Sequence, residues 1–308
     1  MENFIKDAVI GSGAYGTVYK VTCRNTGKAF ALKQHMRGVE EATVRELSCL
    51  SALRNHPYVI QILDCFVADG LVSMLMPLAP YTLSQVIHNG DGLNYVYGRD
   101  QLIRLTPFGF VARFSVQVAN ALSYMHRLNF IHRDLTPSNV LLTDDFTVKV
   151  ADMGLSRHST KVMSPNVVTV PYRAPEVFVG HCEGYTCAID MWSLGVMIAD
   201  AMEGRRVFSA RKTRSETVST YQIIVRTLCP KDHPSASVTP WEPVAIMPNV
   251  MACELAKRTV FRLLAFRENE RLLAHELLQD TEWTRAALMT EEDNVVVRHR
   301  IQQQIYPM

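Results

Sequence analysis

The sequence predicts an α+β chain of two lobes: a small β-rich N-terminal lobe carrying one helix, then a larger, mainly helical C-terminal lobe. Three observations lead there. Most of residues 1–79 alternates apolar and polar side chains with a period of two, the mark of half-buried strands. From about residue 110 the apolar spacing changes to three and four, the mark of helices. The change falls at Pro77–Pro80, where prolines interrupt both patterns. The 308 residues suffice for two such units at about 150 residues each.

Taken in order, AVIGSGAYGTVYKV and KAFALK alternate about Asn25-Thr26-Gly27, a hairpin signal. Val44, Leu47, Leu50 and Leu53 recur at helical spacing in EEATVRELSCLSALRN. YVIQILDCF and LVSMLM predict two further strands. FVARFSVQVANALSYMHRL, AIDMWSLGVMIADAM and NVMACELAKRTVFRLL each predict a long helix. Residues 89–107 combine turn residues with weak periodicity and read as a surface insertion. The expected division is 1–79 and 80–289 for the lobes and 290–308 for a tail, charged and then Gln-rich, whose pattern predicts no element.

Composition narrows the function. Apolar residues make up 48%, enough for a sizeable core. Lys and Arg number 32 against 30 Asp and Glu, a net charge of +2. So even a balance carries no strong field for nucleic acid or an anionic membrane, and neither is expected as a partner. The 7 cysteines are scattered without a C-x-x-C pair, which argues against a disulfide framework or a zinc ribbon and for a reducing compartment. No run of about 18 apolar residues exists, and MENFIKDAVIGSG lacks the basic start and apolar core of a signal peptide. The expected location is intracellular, nucleus or cytoplasm.

Gly11-Ser12-Gly13-Ala14-Tyr15-Gly16 fits G-x-G-x-x-G. A dinucleotide-binding loop would run into a helix, but TVYKVTC continues as a strand, so that reading fails. A glycine hairpin folded over nucleotide phosphates, or a plain hairpin, remains. Lys33 lies 17 residues beyond Gly16 in the apolar strand Ala31-Leu32-Lys33, where an ammonium needs either water or an anionic partner. Glu46, 13 residues on and on the helix, is the natural partner. Taken alone, such a pair is also compatible with a surface contact worth under about 1 kcal/mol.

The decisive stretch is Ile131-His132-Arg133-Asp134-Leu135-Thr136-Pro137-Ser138-Asn139, followed by Asp152-Met153-Gly154 and by Ala174-Pro175-Glu176. With the glycine segment and Lys33 these resemble, in order, the protein-kinase signatures: glycine loop, strand lysine, H-R-D-x-x-x-x-N, a D-x-G triplet and A-P-E. Asp190-Met191-Trp192-Ser193-Leu194-Gly195 and Arg271 also fit, and the resemblance spans roughly residues 4–285. It implies the bilobal protein kinase fold and transfer of the γ-phosphoryl of ATP with Mg²⁺. Asp152 and Asn139 are then metal ligands, since hard oxygen donors suit Mg²⁺. Asp134 orients the acceptor hydroxyl and takes its proton. Lys33, fixed by Glu46, contacts the α- and β-phosphates, and Gly11, Gly13 and Gly16 cover them. Ile10, Val18, Ala31 and Leu141 resemble the apolar slab around adenine. Met76 and Leu78 are expected at the adenine edge, with Leu75 as gatekeeper. His132 and Asp190 are expected to be structural, and Glu176 with Arg271 to form a buried ion pair.

Within the family, Gly38-Val39-Glu40-Glu41-Ala42-Thr43-Val44-Arg45-Glu46 is similar at its ends to the cyclin-binding helix of the cyclin-dependent kinases, GVPSTAIRE. Val167-Val168-Thr169 with Tyr172-Arg173-Ala174-Pro175-Glu176 resembles V-V-T-x-W-Y-R-A-P-E of that branch, and SETVSTYQIIVRTLCP resembles its later helix. The T-x-Y of mitogen-activated kinases is absent. The resemblance implies a cyclin-like partner on the Val39–Glu46 helix. It also implies Ser/Thr targets followed by proline, with Val168, Thr169 and Arg173 at the substrate. Arg45, Arg133 and Arg157 are expected to converge on a phosphate carried by Ser164, and Tyr15 is a second candidate for regulatory phosphorylation.

Departures pull the other way. Thr136 stands where Ser/Thr kinases place a lysine that neutralises the γ-phosphate, and one lost cation in a low-dielectric site costs about 10²-fold or more. Met153 replaces the phenylalanine of D-F-G, and Pro171 replaces a tryptophan near the substrate. The alternatives to a cyclin-activated kinase are therefore a pseudokinase scaffold and a kinase that needs no cyclin.

Overall fold

The structure, a computed structural model, describes residues 3–13, 16–36, 40–68, 70–88, 105–158, 169–179, 186–212 and 216–305. The first lobe is one antiparallel sheet of β1 (Phe4–Gly13), β2 (Gly16–Cys23), β3 (Ala29–His35), β4 (Asp64–Ala68) and β5 (Leu71–Pro77) in the order β1-β2-β3-β5-β4, with helix α1 (Glu41–Ala52) between β3 and β4. The β2–β3 hairpin turns at Gly27, whose φ of 66° suits a residue without a Cβ. At Gly16 the reason for glycine is space: a Cβ there would lie 2.5 Å from the Gln34 carbonyl oxygen on β3.

Period-two alternation gives the sheet two faces. Val21, Leu32 and Leu75 cluster on the outer face with Phe4, Tyr19, Phe30 and Phe66. On the other face, Ala31 pairs with Met76 and Lys33 with Met74. This inner face looks onto the second lobe, whose core Ala31 and Met76 join.

The expected strand YVIQILDCF is a strand only at its end. Its first half bridges the lobes instead: Val150 N–H donates to Tyr58 O at 2.8 Å, and Ile60 N–H to Val150 O at 2.9 Å. These backbone groups found their partners in the other lobe, which no local pattern specifies.

The second lobe opens with β6 (Tyr81–Thr82), α2 (Leu83–Ile87) and α3 (Phe108–Arg127). The short strands β7 (Phe130–Ile131), β8 (Val140–Leu142), β9 (Val148–Val150) and β10 (Arg157–His158) follow, carrying the catalytic segment between them. Next come α4 (Pro175–Phe178) and α5 (Ala188–Glu203), the hairpin β11 (Arg211–Lys212) and β12 (Thr217–Val218), and α6 (Thr220–Leu228). The chain closes with α7 (Pro243–Ile246), α8 (Pro248–Ala252), α9 (Glu254–Leu263), α10 (Ala274–Gln279), α11 (Thr281–Ala286) and α12 (Glu291–Ile305). Helix α5 is buried on every side, as a helix apolar all round must be, and ends at Gly204 with φ 64°. Among the described residues no helix is long and apolar enough to cross a membrane.

Two expectations change here. NVMACELAKRTVFRLL is two helices, not one, because Cys253 is extended at φ −115°, ψ 107°. Both pieces pack on α5, so the apolar spacing runs through the break. The carboxylate of Glu203 accepts from the backbone N–H groups of Asn249 and Val250, at 2.9 and 3.0 Å, and fixes the start of α8. The tail, for which the pattern predicted nothing, is mostly helix α12. It lies along α2 and α3 with Val297 and Ile301 buried. Arg300 is buried there too and donates from Nε to Val86 O at 2.7 Å; that burial pushes its pKa down to about 10.

Candidate active site

Lys33 points from β3 into the space between the lobes, where α1 meets it. Its Nζ donates to both oxygens of Glu46, at 2.7 and 2.8 Å, and to Asp152 Oδ1 at 3.2 Å. Lys33 is 9% and Glu46 2% exposed, so this is a buried, bidentate contact and not a surface pair. Burial alone would lower the Lys33 pKa, but Glu46 and Asp152 outweigh it and raise the pKa above the ordinary lysine value. Burial likewise works against the Asp152 carboxylate, and the Lys33 ammonium nevertheless holds its pKa below the usual range.

The catalytic loop is hung from α5. Asp190 accepts the backbone N–H of His132 at 2.9 Å and of Arg133 at 3.0 Å, and its Oδ2 lies 2.9 Å from His126 Nε2 on α3. The His132 ring, fully buried, bonds Ala151 O at 3.0 Å and ties the loop to the strand that leads to Asp152. Arg133 and Asp152 both take left-handed backbone conformations, at φ 73° and 60°, a strain that the surrounding bonds must hold in place.

Asp134 is then aimed by two neighbours. Asn139 Nδ2 donates to its carbonyl at 2.8 Å and to Oδ2 at 3.1 Å, and Thr169 Oγ1 donates to Oδ1 at 2.9 Å. With its amide N–H groups committed to Asp134, Asn139 presents its amide oxygen on the other side. A carboxylate and an amide oxygen are hard donors, and Mg²⁺ is held by one or two protein oxygens together with substrate phosphates. Among the described residues no group of three or more His, Cys, Asp or Glu gathers to hold a metal alone, so Asp152 and Asn139 fit Mg²⁺ in the company of phosphates.

The His126–Asp190 contact has a pH signature. Burial by itself would lower the His126 pKa, but the Asp190 hydrogen bond and charge raise it to about 9. A raised folded-state pKa means that the pair's stabilisation is fully present below about pH 6.5 and is lost as pH rises through 9. His126→Asn should therefore cost about 3 kcal/mol in urea unfolding at pH 6. The gap to the unsubstituted chain should close by pH 10. Equal losses at both pH values would show that charge plays no part.

The apolar lining is present with one correction. Val18, Ala31, Met76 and Leu78 belong to or pack on the central core, Leu141 is half-buried on β8, and Ile10 is exposed on β1. Leu75, expected as gatekeeper, points to the outer face with Val21 and Leu32. A one-residue shift along a strand reverses the face. The last inward residue of β5 is Met76, opposite Ala31. Met76, not Leu75, is therefore the residue on the face of Lys33 and Ala31, followed by Pro77, Leu78 and Ala79. The parity of LVSMLMP follows from its pairing with Ala31 and Lys33 on β3, which the sequence does not specify.

Of the regulatory and substrate residues, Tyr15, Ser164 and Val168 lie outside the described residues, as does Val39 at the start of the expected cyclin-facing helix; so do residues 89–104 of the insertion. Arg157 is placed by its backbone opposite Ile131. Arg45 donates to Gly154 O at 3.2 Å and pairs with Glu41 on its own helix. Arg133 is buried, and Arg173 stacks 5.3 Å from the Phe178 ring. Met153 is fully buried in the core, its sulfur accepting from Ser156 Oγ at 3.4 Å. Thr136, 6% exposed, sits where its carbonyl accepts the N–H of Asn139.

Comparison with known proteins agrees with this geometry. The pattern of the protein kinase domain matches residues 4–283. The chain is 31% identical over 224 residues to cell division control protein 2 homolog 3 of Trypanosoma brucei brucei, covering 70% of this chain and 68% of that one. It is 30% identical over 236 residues to the serine/threonine-protein kinase SSN3 of Coccidioides immitis, covering 71% of this chain and 48% of that protein. Among solved structures it matches a chain of the CAK complex from Chaetomium thermophilum bound to ATP-gamma-S, with a TM-score of 0.74 and 25% identity over 92% of this chain and 91% of that one.

Proposed function

This chain belongs to the protein kinase family, as a serine/threonine kinase of its cyclin-dependent branch, and we propose that it phosphorylates serine or threonine followed by proline. The observation that carries the reading is the pair of clusters Lys33–Glu46–Asp152 and Asp134–Asn139–Thr169, joined where Ala151 N–H, next to Asp152, donates to Asn139 O at 2.9 Å. Phosphoryl transfer asks for positioning and charge neutralisation more than for covalent help. Asp152 and Asn139 would hold Mg²⁺, which would supply charge neutralisation at the transferring phosphates when bound. Lys33, kept in place by Glu46, binds the α- and β-phosphates from the other side. Asp134 accepts a hydrogen bond from the acceptor hydroxyl, aligns its oxygen with the γ-phosphorus, and takes the proton as the new O–P bond forms and the bond from the γ-phosphorus to the bridging oxygen breaks, that oxygen leaving with ADP. Thr169 and Asn139 keep the carboxylate from turning away.

The residue after the target meets the segment of Val168, Thr169 and Arg173, where proline is the expected occupant. A cyclin-like subunit is the proposed partner at α1. Val44 on the outer side of that helix is 49% exposed, a large apolar side chain for a partner to cover. The structural neighbour likewise comes from a complex.

The test is transfer from ATP·Mg²⁺ to Ser-Pro peptides and to the same peptides with Ala in place of Pro, using the lone chain and the chain captured from its native cells. Transfer to Ser-Pro alone, greater in the captured form, is expected. Equal transfer to both peptides would remove the proline preference. Nucleotide binding without transfer in either form would favour the scaffold reading that Thr136 suggests.

A further inference from the structure

Two side chains with no assigned part in the chemistry join β3 to α1 beside the Lys33–Glu46 pair. His35 and Lys33 are two residues apart and share the inner face of β3. Thr43 and Glu46 are three apart and share one face of α1. Strand and helix thus meet at two points: Lys33 on Glu46, and His35 Nδ1 on Thr43 Oγ1 at 3.0 Å. His35 is 2% and Thr43 1% exposed.

The orientation of the ring follows from what surrounds it. Burial first, and the Lys33 ammonium second, push the His35 pKa below its ordinary value, so the imidazole is neutral. A neutral ring carries one proton. Its Nε2 makes no hydrogen bond among the described residues and lies 3.8 Å from Glu46 Oε2. A lone pair facing that carboxylate would be repelled, so the proton belongs on Nε2, and Nδ1 accepts from the Thr43 hydroxyl. His35 therefore holds Thr43 by a hydrogen bond and favours the position of Glu46 electrostatically.

Helix α1 needs such help. Its N-cap, Glu40, makes no side-chain capping bond. A 12-residue helix is marginal on its own, so tertiary contacts decide where its first turn sits. Arg45 ties α1 to Gly154 O, and Cys49 and Leu50 pack in the core, but among the described residues only Glu46 and Thr43 bond its side chains to β3, so the Thr43 bond fixes how the first turn faces the strand. We propose that His35 and Thr43 are positioning residues, a pin that turns α1 so that Glu46 meets Lys33 and Lys33 meets the phosphates of ATP. The pin works from the inner side of α1 and leaves Val44 on the outer side for a partner. It rests on the kinase reading in that ATP is the ligand Lys33 serves.

The experiment uses the full chain with Thr43→Val, which keeps the shape and removes the hydroxyl, and Thr43→Ser, which keeps the hydroxyl. The first readout is hydrogen exchange of the α1 amides. Thr43→Val should speed it about five- to tenfold, the scale of one lost buried hydrogen bond, with β3 unchanged and Thr43→Ser like the unsubstituted chain. The second is the Kd of ATP·Mg²⁺, which should weaken by a similar factor in Thr43→Val. In a Glu46→Gln background the same substitution should weaken it no further, because the effect runs through Glu46. Unchanged exchange would overturn the pin. An equal weakening with and without Glu46 would reduce it to a structural bond. Neither readout requires phosphoryl transfer, so a chain that binds ATP and transfers nothing would count against the proposed function while leaving the pin judged on its own terms.

Discussion

Asp134→Asn should lower kcat for peptide phosphorylation by on the order of 10²–10⁴-fold, the range associated with loss of a positioned general base. An amide in place of the carboxylate can still accept from Thr169 Oγ1, which lies 2.9 Å from Oδ1. It cannot take the proton of the incoming hydroxyl, nor can it accept from Asn139 Nδ2 while presenting its own N–H₂ there. The fold should notice little, since at most one part-buried hydrogen bond is lost, worth about 1 kcal/mol. Single-turnover kinetics beside a melting curve and an ATP titration separate the two effects. A kcat within a few fold of the unsubstituted chain, at equal melting temperature, would remove Asp134 from the reacting atoms. It would also leave the chain without a base, since Thr136 and Asn139 cannot serve as one.

The second large effect is on stability. Arg271 is fully buried along its side chain and spends its guanidinium on four acceptors. Nη1 and Nη2 donate to the two oxygens of Glu176 at 2.7 and 3.0 Å, Nη1 also to Ala188 O at 2.9 Å, and Nε to Ala265 O at 3.2 Å. The group lies 5.2 Å from the Trp192 ring. Arg271→Ala would leave a largely buried carboxylate and two carbonyls without their donor. Breaking one side of a buried pair costs about 3–5 kcal/mol. For a chain of this size that corresponds to a fall of on the order of 10 °C in melting temperature. Arg271→Lys should recover little, because an ammonium cannot reproduce the planar fork. Glu176 opens α4, directly after the segment in which Thr169 holds Asp134, so the loss should reach peptide binding before the chain unfolds. A drop under about 2 °C would mean that Glu176 finds another partner.

Much of the site was legible because its groups are carried by short, contiguous motifs. The loop from His132 to Asn139 is a local turn whose residue types state their jobs, and Asp134 and Asn139 are close enough in sequence to bond each other directly. Lys33 and Glu46 are one strand end and one helix turn apart, so their meeting needed only the hairpin-to-helix reading. Where the reading failed, the missing information was a register or a distant partner. Leu75 and Met76 are both apolar and adjacent, and only the pairing of Ala31 with Met76 says which one faces the nucleotide. The break at Cys253 is invisible in the apolar spacing because α8 and α9 pack on the same helix. His35 and Thr43 look like ordinary polar residues until β3 and α1 are laid side by side.

The sequence by itself determined the two-lobe α+β architecture, through periodicity read locally, and the kinase family, through ordered motifs that resemble its signatures. The tertiary structure alone decided which face each strand turns to the cleft. It decided the bridging of Tyr58 and Ile60 to Val150 and the burial of the tail helix through Arg300. It also decided the second bond from α1 to β3, which fixes how the first turn faces the strand. The physical reason is common to these: each is a hydrogen bond or a packed face between different elements, which no local periodicity links. Such partners are chosen by burial of the whole chain and not by the propensity of any stretch of it.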